Sequence, residues 1–176
     1  MMYKCAFLGC GGRARGHARA YQYVKRGQIV AICDLNEELL NKFGDDFGVE
    51  KRYTNIHEML DKENPDLLHI VTAPFMRGTL EPIRYSLMNI ASEHEVPSAI
   101  VEKPIAVMGE DWRDIMDLSK RAKTKFVVNT QLNFHNIRLE FHFQIEFKTN
   151  RIIWNSSAMC PKGGLVKSSL LMLLLV

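Results

Sequence analysis

The chain has 176 residues, 47% hydrophobic and 24% charged, with a net charge of +3 at neutral pH. That balance fits one globular domain, or one domain and the start of another, and excludes a disordered or fibrous chain. Lysines and arginines are interleaved with acids, so no basic footprint for nucleic acid or an anionic membrane exists.

No stretch approaches the ~20 apolar residues of a membrane span; the apolar run at residues 170–176 is far too short. The N-terminus enters a strand at once, without a basic-then-apolar signal segment. Cys5, Cys10, Cys33 and Cys160 contain no C-x-x-C pair, so neither a disulfide framework nor a zinc site is expected. Cys5 and Cys33 read as small apolar residues within strands, and Cys10 as filling the turn it occupies. A reducing, cytoplasmic setting follows.

Residues 3–8 predict a buried strand, followed by the turn Gly9-Cys10-Gly11-Gly12-Arg13-Ala14 and a helix whose stripe is Ala14, Ala18, Tyr21 and Val24. A second strand over 28–33 ends on Asp34. Asn36 caps a helix with the stripe Leu39, Leu40, Phe43 and Phe47. A short strand near 51–53 leads to Asn55-Ile56-His57-Glu58, which resembles a capping box. The apolar run 67–71 predicts a strand buried on both faces. A helix bearing Leu80, Ile83, Leu87 and Ile90 follows. Next come a strand over 98–101, a helix bearing Trp112, Ile115, Met116 and Ser119, and a strand over 125–128. Strands alternating with helices of this length indicate an α/β fold with a doubly wound parallel sheet. Beyond Asn133 the pattern weakens, to a possible helix over 134–147 and strand over 152–156.

The first turn carries chemistry. Gly9 leaves the strand where a Cβ would clash, Gly11 permits close backbone approach to a pyrophosphate, and Ala14 keeps the helix near the sheet. The helix N-terminus offers N–H groups and a positive dipole end to phosphate. Asp34, 20 residues beyond Ala14, is placed to bind adenosine ribose hydroxyls. Arg13 is as consistent with a pyrophosphate contact as with a solvated cation. A carboxylate at the ribose repels a 2′-phosphate, and Leu35 and Asn36 supply no arginine to offset it, so NAD is expected in preference to NADP.

Three later motifs complete the series: Thr72-Ala73-Pro74 after the fourth strand, Glu102-Lys103-Pro104 after the fifth, and Val128-Asn129-Thr130-Gln131 after the sixth. With the glycine turn and Asp34, they make residues 2 to about 145 resemble the N-terminal Rossmann domain of the Gfo/Idh/MocA oxidoreductases. The resemblance implies an NAD(P)-dependent dehydrogenase of sugar, inositol or polyol type, passing hydride between nicotinamide and a carbinol carbon. It implies that Lys103 is catalytic, near nicotinamide and substrate, with Glu102 fixing the lysine or its loop and Pro104 the backbone. Gly9, Gly11, Gly12, Arg13, Ala14, Asp34, Thr72, Ala73, Pro74, Glu102 and Lys103 would bind the cofactor, with Thr72 to Pro74 lining the nicotinamide ribose.

The expected boundaries are 1–131 for the dinucleotide domain and 132–176 for a remnant or start of a substrate domain. No aspartate follows Glu146 and no histidine follows His142, so the family's acid/base pair has no counterpart. Asn133 stands where an arginine is often found, and Arg77 and Gly78 where a histidine is usual. The expectation is a truncated or frame-disrupted member lacking the complete second α/β domain, its exposed edge open to homo-oligomerisation. A non-catalytic NAD-binding module or sensor is the alternative. An S-adenosylmethionine methyltransferase would share the loop and acid but gives no reason for the Thr-Ala-Pro and Glu-Lys-Pro motifs. His17, His57, His69, His94 and His142 lack metal-like spacing and read as surface or core residues; His135 is a candidate polar contact to substrate. No metal is expected.

Overall fold

The computed structural model describes residues 1–76, 78 and 80–129. Arg77, Thr130, Gln131, Asn133, His135, His142, Cys160, the expected helix over 134–147, the strand over 152–156 and the tail at 170–176 lie outside the described residues. Six parallel strands, β1 (Tyr3–Leu8), β2 (Gly27–Cys33), β3 (Arg52–Tyr53), β4 (Leu67–Ile70), β5 (Ser98–Glu102) and β6 (Lys125–Asn129), form one sheet in the order β3-β2-β1-β4-β5-β6. Helices α1 (Gly12–Ala20), α2 (Glu37–Phe47), α3 (Ile56–Glu63), α4 (Arg84–Glu93) and α5 (Gly109–Arg121) connect them. This is the doubly wound Rossmann arrangement, with order reversing between β1 and β4.

The strands are apolar on both sides because both faces are covered. On one face Ala6, Leu8, Leu68, Ile70, Ala99 and Val101 pack against Met59, Leu60, Met88, Ala91, Ile115 and Leu118 of α3, α4 and α5. On the other, Phe7 and Ile32 pack against Ala14, Ala18, Leu40 and Phe43 of α1 and α2. The small residues of α1 let that helix lie close to β1, as the spacing predicts.

Caps set the helix starts. Asn36 Oδ1 accepts from the N–H groups of Glu38 and Leu39 at 3.0 and 3.2 Å. Asn55 Oδ1 accepts from His57 and Glu58 at 2.9 and 3.3 Å. Asp111 reaches back to the N–H groups of Val107 and Met108.

Helices α1, α4 and α5 differ from their predicted stripes, and Leu39 of the α2 stripe is exposed. α1 ends at Ala20, and Tyr21–Tyr23 form a 3-10 turn that swings Tyr21 towards the sheet. Leu80 lies outside α4 and is exposed, while the buried face of α4 is Arg84, Met88 and Ala91. The reason is a loop closed by backbone pairing, Met76 N–H to Glu81 O and Ile83 N–H to Pro74 O, which delays the helix start to Arg84 and rotates the buried face. In α5 Leu118 takes the core position and Trp112 remains 39% exposed. Among the described residues no helix is long and apolar enough to cross a membrane.

Candidate nucleotide site

Parallel register brings the strand ends into one row. Leu8 pairs with Cys33 and Ile70, Ile70 with Val101, Val101 with Val128, and Glu102 with Asn129. Residues immediately beyond that row therefore meet at the carboxyl edge of the sheet, beside the switch between β1 and β4.

Gly9 has φ +100°, and a Cβ there would lie 2.9 Å from Thr72 N and Val71 C. Its N–H donates to Cys33 O at 2.8 Å, which ties the turn to β2. Gly11 and Gly12 differ, because a Cβ on either meets nothing within 4 Å. The fold itself therefore does not demand glycine at 11 for lack of room. Gly11 is the N-cap of α1, and neither a capping side chain nor an acidic residue occupies its first turn. Those N–H groups and the helix dipole favour an anion. Ala14 is fully buried beneath them.

Asp34 is locked by backbone donors from both sides. Cys10 N–H donates to Oδ2 at 2.7 Å and Asn36 N–H to Oδ1 at 2.9 Å. One carboxylate thus fixes the glycine turn and the start of α2, while each oxygen keeps lone-pair capacity for a diol. The Cys10 thiol is pushed up to about 12 by burial, then by the Asp34 charge and Cys33; it fills the turn as an inert apolar group.

Thr72 is held by a buried arginine. Arg84, 2% exposed, donates Nη1–H to Thr72 Oγ1 at 2.9 Å and Nη2–H to Thr72 O at 2.8 Å. Burial pulls its guanidinium below the usual range, and the Glu102 charge partly restores it. Ala73 and Pro74 follow on the exposed edge.

Glu102 is the buried end of β5, 4% exposed, while Lys103 and Pro104 stand exposed after it, joined by a cis peptide bond. Glu102 Oε1 accepts from His17 Nε2 at 2.8 Å and from Asn129 Nδ2 at 2.6 Å; Arg13 Nε lies 3.8 Å from Oε2. Burial alone would raise this carboxyl, but the hydrogen bonds from His17 and Asn129 and the charges of His17 and Arg13 outweigh it and hold it below the ordinary carboxylate range. His17 continues inward: its Nδ1 faces His69 Nδ1 at 3.2 Å, and His69 Nε2 meets the Tyr21 hydroxyl at 2.7 Å. His69 stacks on Phe7 with ring centres 4.2 Å apart.

The structure thus brings Gly9, Gly11, Gly12, Arg13, Ala14, Asp34, Thr72, Ala73, Pro74, Glu102 and Lys103 to one edge. The sequence reading gave no site role to five residues behind it: His17 and His69, read as surface or core histidines, Tyr21 and Asn129, named only in a helix stripe and the last motif, and Arg84, which it did not name. Two signals were available. His69 is a polar residue inside an apolar strand, and His17 and Tyr21 stand four apart, on one helix face.

Comparison with known proteins identifies the lineage. The Gfo/Idh/MocA model, an oxidoreductase family with an NAD-binding Rossmann fold, matches residues 3–130. The chain belongs to this family. A D-apiose dehydrogenase from Paraburkholderia graminis is 32% identical over 127 residues, 72% of this chain and 32% of that protein. The glucose-6-phosphate 3-dehydrogenase of Bacillus subtilis is 24% identical, over 92% of this chain and 48% of its own. An oxidoreductase from Agrobacterium radiobacter, solved with NAD+, L-tartaric acid and magnesium, superposes with a TM-score of 0.65 at 29% identity. It covers 73% of this chain and 35% of that one. The chain spans about a third of the length of the first of these relatives.

Proposed function

We propose that this edge is the NAD(H) half-site of an oxidoreductase acting on a sugar or polyol, with NAD preferred to NADP. The observation that carries the reading is Asp34. Its carboxylate is pinned by Cys10 and Asn36 beside an open Gly11 and an uncapped helix N-terminus. That arrangement suits a ribose diol next to a pyrophosphate, and it repels a 2′-phosphate.

Bound nicotinamide supplies the hydride acceptor or donor. The residues of this chain do the rest. Gly9, Gly11, Gly12, Arg13 and Ala14 receive the pyrophosphate. Thr72, Ala73 and Pro74 shape the ribose side, kept in place by Arg84. Lys103 brings a cation to the edge, where it stabilises negative charge developing on a substrate oxygen. Glu102, beneath it, is already committed to His17 and Asn129 and orients the turn that carries Lys103.

Titration calorimetry with NADH and NADPH tests the reading. Saturable NADH binding, weaker for NADPH and lost in Asp34→Ala, is expected. A folded chain that binds neither nucleotide overturns it. The alternative reading is a nucleotide-binding module without turnover. NAD+ reduction with a panel of sugars and polyols separates the two, since a pure binder shows none.

A further inference from the structure

The hydrogen-bond chain behind Glu102 has its donors and acceptors assigned by chemistry alone. Ionised Glu102 only accepts, so His17 Nε2, 2.8 Å from Oε1, carries a hydrogen. Asn129 Nδ2 also donates to Oε1, so the 3.1 Å separation of Nδ2 from His17 Nε2 is that of two donors converging on one acceptor. The two Nδ1 atoms face each other at 3.2 Å, and one of them bears the hydrogen between them. If it is His69, both rings are neutral and every bond points one way: Tyr21 O–H to His69 Nε2, His69 Nδ1–H to His17 Nδ1, His17 Nε2–H to Glu102. If it is His17, that ring is an imidazolium, His69 is the opposite tautomer, and its Nε2–H donates back to the tyrosine oxygen. Both states satisfy the same heavy-atom positions.

We propose that Tyr21, His69 and His17 form a proton store loaded from the Tyr21 end, with the stored proton resting on His17 against the Glu102 carboxylate. Loading is a sequence of hops along the bonds already present. The Tyr21 O–H bond breaks as an N–H bond forms at His69 Nε2. The His69 Nδ1–H bond breaks as one forms at His17 Nδ1. Tyr21 regains a proton from solvent, so the net change is one proton gained by the protein. No proton crosses the His17–Glu102 contact.

Geometry and charge fit that direction. Tyr21 is partly exposed and borders a surface cleft of about 500 Å³ with Gly27 and Gln28, whereas His69 and His17 are buried. His69 is driven far below its usual range by burial and then by His17, so it passes a proton without keeping one. The charged and titratable groups around the chain are Cys5 of β1 beside Tyr21, with Asp66 acting on that thiol, Arg19 of α1 and Asp46 of α2 on the cleft that Tyr21 borders, Arg13 of α1, Arg84 of α4, and Glu102 with Lys103 at the end of β5. Glu102 is the anion that touches His17.

The use of such a store rests on the nicotinamide-site reading. Nicotinamide held by these residues would accept hydride from a carbinol, whose O–H proton would be released, and would change from a cationic to a neutral ring. A cation at His17 is disfavoured by the first ring and tolerated by the second, so the store fills as the cofactor is reduced.

The test is nitrogen NMR of the imidazole rings in the full chain, followed from about pH 9 to about pH 5. As His17 becomes imidazolium, His69 should stay neutral and switch from the Nδ1–H to the Nε2–H tautomer with the same midpoint. A His69 ring that keeps its tautomer, or becomes cationic itself, overturns the store. Tyr21→Phe removes the partner of His69 Nε2 in both states and with it the path to solvent, so exchange between the two His69 tautomers should slow by about tenfold or more; an unchanged exchange rate overturns the role of Tyr21. With saturating nucleotide the midpoint should be higher for NADH than for NAD+, and equal midpoints overturn the link to the cofactor. If neither nucleotide binds, the nicotinamide-site reading falls, while the nucleotide-free tautomer result still decides the store.

Discussion

Gly9 and Gly11 separate two reasons for a glycine. At 9 the φ of +100° and the 2.9 Å approach to Val71 and Thr72 make any side chain a steric fault of the fold. Gly9→Ala should lower stability by roughly 2–4 kcal/mol, measured by urea unfolding. At 11 nothing lies within reach of a Cβ. Gly11→Ala should cost at most about 1 kcal/mol, from the poorer N-cap, and weaken NADH by at least about tenfold in calorimetry. A loss of stability comparable to that of Gly9→Ala would mean that residue 11 serves the fold rather than a ligand. Asp34 combines both roles, since it anchors Cys10 and Asn36. Asp34→Ala should cost about 1–3 kcal/mol of stability as well as the nucleotide, because two backbone donors lose their acceptor.

At the scale of elements, α4 is held to the site by one buried side chain. Arg84→Met keeps the length but strips Thr72 of two charge-assisted hydrogen bonds. We expect a loss of about 2–4 kcal/mol together with weaker NADH, seen in the same pair of measurements. Wild-type NADH affinity in a destabilised Arg84→Met chain would show that the Thr72 turn holds its shape without the clamp. This helix also marks where sequence reading stops. Strands β1, β2 and β4 were legible because burial on both faces makes them continuously apolar, and α2 because Asn36 and its stripe agree. The start of α4 was not, because backbone pairing between residues 74–76 and 81–83 decides it, and no side-chain periodicity reports that. Likewise the edge motifs were readable from glycine and strand-end position. Their support by His17, His69 and Asn129 depends on contacts spanning up to 112 residues of chain, which local pattern cannot carry.

The molecule as a whole should respond to acid in two windows. His69 is held neutral when folded, so below its ordinary pKa of about 6.5 the unfolded chain binds a proton that the folded one does not, and stability falls with pH. Glu102 is held low despite its burial, through His17 and Asn129. Glu63 is likewise held low despite its burial, through Lys51 and Tyr53. Their contribution is complete above the usual carboxylate range and is lost as pH falls through the depressed one. Urea midpoints measured against pH should therefore decline first below about pH 6.5 and again below about pH 4. His69→Gln should flatten the first decline and leave the second. A first decline that survives in His69→Gln would place its origin in another group.

The common row at which the strands stop works as an address. Gly9, Asp34, Thr72, Lys103 and Asn129 are specified by how far each lies past Leu8, Cys33, Ile70, Val101 or Val128, and the spacing between them along the chain plays no part. Length added or removed in the return path from a helix to the next strand leaves every address intact. One residue gained between a strand's last rung and its functional group rewrites that address, because in extended backbone it turns the next side chain to the opposite face. Loops at the two ends of this sheet are thus under unlike constraints: those at the amino edge are spacers, and those at the carboxyl edge are counted to the residue.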